Sequence, residues 1–125
     1  MKIPEHLQYT AEHLWVRQHE DGHWLAGITD YAQDLLGDIV YVEAPKPGIS
    51  LSAGQPCGLV ESVKTGSDLH APLDGTVLEI NESLQGTPEQ INDDPYQAWI
   101  FSFAAASDAS GLLSAAQYQA LLGEA

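Results

Sequence analysis

Positive charge is what this sequence has least of. Four Lys and Arg residues face 18 Asp and Glu, giving a formal net charge of -14 over 125 residues. Nucleic-acid binding rests on neutralising phosphates with Lys and Arg, so that class of partner is excluded, and anionic membranes with it. The balance favours partners with basic docking surfaces, or a salty cytoplasm that screens self-repulsion. Cysteine is almost missing too: Cys57 stands alone, which rules out an internal disulfide. No stretch reaches the ~20 apolar residues needed to span a bilayer. The start, Met1-Lys2-Ile3-Pro4-Glu5, lacks the apolar run of a secretory signal. A cytoplasmic protein is expected. A hydrophobic content of 44% is ordinary for a globular domain. A single domain, 1–125, is long enough to bury a core without staples.

The chain reads as many short strands and few helices. Residues 15–18 and 23–27 flank Glu20-Asp21-Gly22, a hairpin signal because the tight turn needs positive φ. Thr29 or Asp30 can cap a short helix with Ala32, Leu35 and Leu36 on one face, stopped by Gly37. Ile39-Val40-Tyr41-Val42 predicts a buried strand, ended by Pro45 and Pro47. Residues 51–81 alternate strand and turn, with Gly54, Gly58, Gly66 and Asp74-Gly75 as punctuation. A polar loop with Pro88 and Pro95 precedes a strand at 99–104. The chain closes with a helix over 114–122, where Ser114 and Gln117 form a capping box and Leu113 can staple onto Tyr118. Tyr118, Leu121 and Leu122 form its apolar stripe, and Gly123 ends it. The expected fold class is mainly β, a barrel or sandwich with short flanking helices.

One segment carries a chemical signal. In Leu59-Val60-Glu61-Ser62-Val63-Lys64-Thr65-Gly66-Ser67-Asp68-Leu69-His70-Ala71-Pro72, two apolar strand pieces meet at 63–67. Lys64 therefore stands at or beside a hairpin tip, between Glu61 and Asp68. A solvated turn lysine balancing those carboxylates is one reading. A lysine nucleophile is another, and it needs a desolvated pocket or a cationic neighbour, which acidic flanks do not provide.

Glu61-Ser62-Val63-Lys64, with Ser67-Asp68 and Ala71-Pro72, resembles the lipoyl-attachment hairpin of the H proteins of the glycine cleavage system. The resemblance runs from Tyr9 to Leu122, through Gly27-Ile28-Thr29-Asp30-Tyr31-Ala32-Gln33, Leu36-Gly37-Asp38-Ile39-Val40-Tyr41-Val42-Glu43, Asn92-Asp93-Asp94-Pro95-Tyr96 and Trp99. It implies a lipoyl-domain-like flattened β-barrel or sandwich (a barrel-sandwich hybrid) and a non-catalytic carrier. The hairpin 59–72 would hold lipoic acid in amide linkage on Lys64, and lipoate-attaching enzymes would read Glu61 and Gly75. The arm would shuttle an aminomethyl group among a pyridoxal-phosphate glycine decarboxylase, a tetrahydrofolate-dependent aminomethyltransferase and a dihydrolipoyl dehydrogenase. Gly66 and Gly75 are expected to permit tight turns that expose the arm. Val63 and Thr65 beside the lysine, in place of Met, disfavour biotin.

The sequence departs from that family in four places. His13-Leu14-Trp15 replaces His-Glu-Trp, removing a carboxylate that would hold the cationic arm. Asp68 matches a second arm-contacting residue, and Glu12 falls where a third, a serine, often lies. Thr65-Gly66 follows the lysine in place of small residues, commonly Ala-Ala. The Gln97-Ala98 loop is one residue short and lacks glycines, and Ser102-Phe103-Ala104 lacks common lysines. These departures keep a sulfur-carrying alternative open: an H-like lipoate-binding protein serving a heterodisulfide-reductase-like complex in bacterial sulfur oxidation.

Other residues admit plainer readings. His13, His19 and His23 lack zinc-ligand spacing, so surface strand histidines are expected rather than a metal site. Cys57 has no activating neighbour, although a Cys–His enzyme remains the alternative from another class. Trp15, Trp24 and Trp99 are expected in the core.

Overall fold

A computed structural model describes residues 2–106, 108–109 and 111–123. Strands β1 (Gln8–Tyr9), β2 (Leu14–Gln18) and β3 (Trp24–Ile28) lead to helix α1 (Asp30–Leu36). Strands β4 (Ile39–Glu43), β5 (Ser50–Leu51), β6 (Pro56–Ser62), β7 (Gly66–His70) and β8 (Gly75–Ile80) follow. Two one-turn helices, α2 (Ser83–Gly86) and α3 (Gln90–Asp93), precede β9 (Phe101–Ala105) and helix α4 (Ala115–Leu121). The strands form two antiparallel sheets, β1-β2-β3-β9-β8-β5 and β4-β6-β7, and neither closes on itself. The mainly β sandwich with flanking helices is therefore as expected. The polar loop differs, since it contains α2 and α3.

Strand alternation explains how one small sheet serves two apolar clusters. Leu14 and Val16 on β2 join the main core, with Ala26, Val42, Val60, Leu69, Val77, Phe101 and Phe103. Trp15, between them, points into a second cluster with Leu7, Tyr9 and Tyr118 beneath α4. Gly27 lies opposite Trp15, and a Cβ there would meet the indole ring at 2.7–2.8 Å. The indole N–H donates to the Pro95 carbonyl at 2.9 Å. Truncating so enclosed a Trp costs about 3–5 kcal/mol. Tyr118 stacks on Tyr9 at 4.8 Å, and the Ser114–Gln117 capping box forms as the sequence predicts.

Three expectations about faces change. Leu35 and Leu121 are exposed, so the apolar stripes of α1 and α4 are narrower than their spacing implied. A bulge between Ile39 and Tyr41 turns Val40 and Tyr41 outward, so β4 is buried only at Ile39 and Val42. Gly58, Gly66 and Gly75 lie within strands, and none has positive φ. Gly75 answers a different need: a Cβ there would lie 2.2 Å from the Ala104 carbonyl oxygen, so β8 and β9 could not pair so closely. Gly22, Gly37 and Gly54 do occupy the left-handed region, at the hairpin, the end of α1 and the turn before β6.

Candidate functional site

The β6–β7 hairpin places residues 63–65 at its tip, where Val63, Lys64 and Thr65 are exposed. Ser62 organises this turn. Its hydroxyl oxygen accepts the backbone N–H groups of Lys64 and Thr65, each at 3.1 Å, and donates to the Thr65 carbonyl at 3.2 Å. The Ser62 N–H donates to the same carbonyl at 2.8 Å, and the Val63 N–H to the Asp38 carbonyl at 3.0 Å. Every backbone N–H from Ser62 to Thr65 is thus held. A serine at the start of a turn is the sequence signal for such an ST motif.

The Lys64 side chain lies along the end of α1. Its Cε would be 3.0 Å from a Cβ at Gly37, and its amine is 3.5 Å from the Leu35 carbonyl oxygen. That distance exceeds an ordinary N–H···O bond. Among the described residues, Lys64 forms no ion pair with Glu61, Asp68 or any other carboxylate. The reading of Lys64 as a charge-balancing turn residue therefore finds no contact to support it. An exposed amine on a rigid turn fits acylation by lipoic acid. Glu61 is exposed one strand position from the turn, opposite Tyr41 on β4 and Gly66 on β7. Gly75 is not near it in the fold: it is buried past the far end of β7 from Lys64.

Glu12, Leu14 and Asp68, far apart in sequence, line one cavity of about 110 Å³ with Leu36, Val60 and Leu69. Leu35 also lines it, and through its carbonyl connects the cavity to the Lys64 amine. The site is mostly apolar with two carboxylates among its residues. Leu14 is buried, whereas Glu12 and Asp68 are exposed. His13 is a further lining residue with its backbone at φ 70. Its Nδ1 lies 2.8 Å from the Tyr118 hydroxyl, which lies 2.8 Å from Thr29 Oγ1. Thr29 Oγ1 already accepts the Ala32 N–H as the cap of α1. Either hydroxyl can donate in the Thr29–Tyr118 contact, and the role of His13 Nδ1 follows from its tautomer. Burial pushes the Tyr118 hydroxyl up to about 12 and lowers His13 below the usual imidazole range, with nearby Glu12 opposing the latter. Burial thus favours the uncharged imidazole.

Asn92 supports the site from behind. Its amide donates to Gln33 Oε1 and to the Gly37 carbonyl, each at 2.9 Å, and its Oδ1 accepts the Ile39 N–H at 2.9 Å. It thereby fixes the segment that holds Val63. The remaining candidates behave differently. His19 and His23 approach a shared Asp21 at 3.6 and 3.2 Å, on exposed side chains. Burial pushes the Cys57 thiol up to about 11, against any thiolate role. Trp15 and Trp24 are core residues, and Trp99 is only partly buried.

A small β scaffold that offers one lysine on a braced, exposed turn has the architecture of a covalent group carrier. The glycine cleavage H-protein family model matches residues 7–125. The glycine cleavage system H protein of Methylobacillus flagellatus is 80% identical over 123 residues, covering 98% of this chain and 100% of that protein. That of Nitrosomonas europaea is 47% identical over 124 residues, covering 98% and 96%. The crystal structure of a glycine cleavage system H protein from Mycobacterium marinum superposes with a TM-score of 0.86 at 39% identity, covering 96% of this chain and 98% of that one. The chain belongs to the glycine cleavage H-protein family, whose members are lipoyl carriers rather than catalysts and bear the group covalently on a lysine. Membership favours the glycine cleavage reading over the sulfur-oxidation alternative.

Proposed function

We propose that Lys64 is the lysine that bears the lipoyl group, and that the chain works in the cytoplasm as the mobile carrier of the glycine cleavage system. The observation that carries this reading is the Lys64 amine: exposed, unpaired with any carboxylate among the described residues, and mounted on a turn held by Ser62. When bound, lipoic acid would supply a disulfide that opens to hold a one-carbon amine unit on one sulfur with the other as a thiol, leaving a dithiol once that unit is passed on. The chain's own residues supply placement. Acylation converts the Lys64 ammonium to a neutral amide. Glu12 and Asp68 offer carboxylates to a cationic amine at the cavity, and Leu14 lines it without offering an acceptor. Burial disfavours a competing positive charge on His13. The partners are the pyridoxal-phosphate decarboxylase, the tetrahydrofolate-dependent aminomethyltransferase and dihydrolipoyl dehydrogenase, each met in turn at high effective concentration of the arm.

Lipoate-attaching enzymes would read Glu61 directly from the exposed hairpin. Gly75 would serve recognition indirectly, by letting β8 and β9 close beneath the scaffold. Intact-mass analysis of protein co-produced with a lipoate-attaching enzyme should show one lipoyl adduct, mapped to Lys64 and lost in Lys64→Ala. An adduct on Lys2 or Lys46 would refute the assignment. Glu61→Ala should slow attachment without altering the thermal midpoint.

A further inference from the structure

Tyr118 lies behind the cavity, fully buried on α4 and stacked on Tyr9. A phenylalanine would keep that stack and the apolar area with it. The hydroxyl is therefore what needs a reason, since burying one without partners costs free energy. It has two partners, His13 Nδ1 and Thr29 Oγ1, each at 2.8 Å. Burial pushes the phenol up to about 12, so it stays a neutral hydroxyl in both contacts.

Those partners belong to different walls of the cavity. His13 lies in the turn between β1 and β2, flanked by the lining residues Glu12 and Leu14. Thr29 caps α1, from which Ala32, Leu35 and Leu36 line another wall. The Thr29 N–H also donates to the His13 carbonyl at 3.0 Å, so the phenol reinforces a seam that the backbone already closes. Among the described residues His13 alone combines a side chain with positive φ, a conformation that persists only where its surroundings impose it. Tyr31 tilts against its ring at a centroid separation of 4.9 Å, and Tyr118 meets it edge-on at 5.8 Å. We infer that Tyr118 is a positioning residue for the loaded arm: its hydroxyl locks the His13 turn to the cap of α1 and so fixes the shape of the cavity that receives the arm. The C-terminal helix is thereby part of the arm's seat, although none of its residues lines it. The inference rests on that cavity as the arm's resting place and on Lys64 as the attachment site.

The test uses protein fully lipoylated on Lys64, confirmed by mass, loaded from glycine by its decarboxylase and then separated from it. Retention of the loaded arm is followed for the parent, Tyr118→Phe, His13→Asn and the double variant. Tyr118→Phe should shorten retention roughly threefold to tenfold, the scale of one neutral hydrogen bond. The double variant should lose the load no faster than His13→Asn alone, because Tyr118 acts through His13. Leu122→Ala thins the cluster beneath α4 but keeps the hydroxyl, and it should leave retention unchanged whatever it costs in stability. By imidazole nitrogen shifts in NMR, the His13 ring of the parent should hold one tautomer, and Tyr118→Phe should release it to a mixture. Unchanged retention in Tyr118→Phe, additive losses in the double variant, or an equal loss in Leu122→Ala each overturn the positioning role. So does a parent ring that already averages between tautomers, a result that stands even where Tyr118→Phe does not fold. Retention indifferent to Glu12→Gln and Asp68→Asn refutes instead the cavity reading beneath the inference. A parent protein without an adduct on Lys64 refutes the attachment site, which the mass measurement shows separately.

Discussion

The side-chain amide of Asn92 donates to the Gly37 carbonyl at 2.9 Å, joining residues 55 positions apart in sequence. With its bonds to Gln33 and Ile39, this one residue sets where α1 stops and β4 begins. The Lys64 turn hangs on that junction through the Asp38 carbonyl.

Asn92→Ala should therefore do two things. Leaving partly buried groups unpaired should lower stability by about 1–3 kcal/mol in denaturant unfolding. Hydrogen exchange at the Val63 amide should quicken more than at amides of β8 and β9. Uniform acceleration across the chain would show that Asn92 contributes stability alone.

The cavity makes a prediction about cargo. Glu12→Gln or Asp68→Asn should shorten retention of the loaded arm by roughly tenfold, the scale of one charge-assisted hydrogen bond. Leu14→Ala should instead cost about 2–5 kcal/mol of stability, because Leu14 belongs to the main core as well as the cavity wall. Retention unaffected by both acid substitutions would remove the carboxylates from the mechanism.

His13 gives a pH dependence of definite sign. Burial lowers its folded value below the ordinary 6.5, so the unfolded chain takes up the proton first as pH falls. The stability it contributes is complete above about pH 6.5 and is lost as pH falls through the folded value. His13→Asn tolerates the left-handed backbone and does not titrate. Thermal midpoints of the variant should fall less steeply than the parent's between roughly pH 7 and 5. Parallel curves would assign the acid sensitivity to other groups.

Gly75→Ala tests the reason for a glycine in a strand. Forcing a methyl against the Ala104 carbonyl should cost about 1–3 kcal/mol. Loss of lipoate attachment should track the unfolded fraction and recover when folding is restored by mild stabilising conditions. Slow attachment to a fully folded variant would show direct reading of Gly75.

Local signals were legible wherever one residue's geometry decides the structure. Gly22 at the hairpin, Thr29 and Gly37 bounding α1, the Ser114 box and the exposed position of Lys64 all follow from short-range sequence. The misreadings are non-local. Spacing cannot say that Leu35 and Leu121 stay exposed among the described residues, nor that a bulge turns Tyr41 outward. Gly75 looked like a turn residue because its requirement comes from Ala104, 29 positions away by the numbering. The gathering of Glu12, Leu14 and Asp68 was named through family resemblance, whereas the roles of Ser62 and Asn92 emerged only from their bonds.

The Ser62 bracing of the turn has a consequence for how tightly partners can afford to hold this protein. With the amides from Ser62 to Thr65 already engaged, the loop has little conformational freedom left to surrender. The fulcrum of motion is the Lys64 side chain, and only that tether must be frozen when a partner takes the arm. The entropic toll of each encounter is then nearly the same in every partner. A carrier that must leave each one promptly gains from affinities that differ little along its circuit.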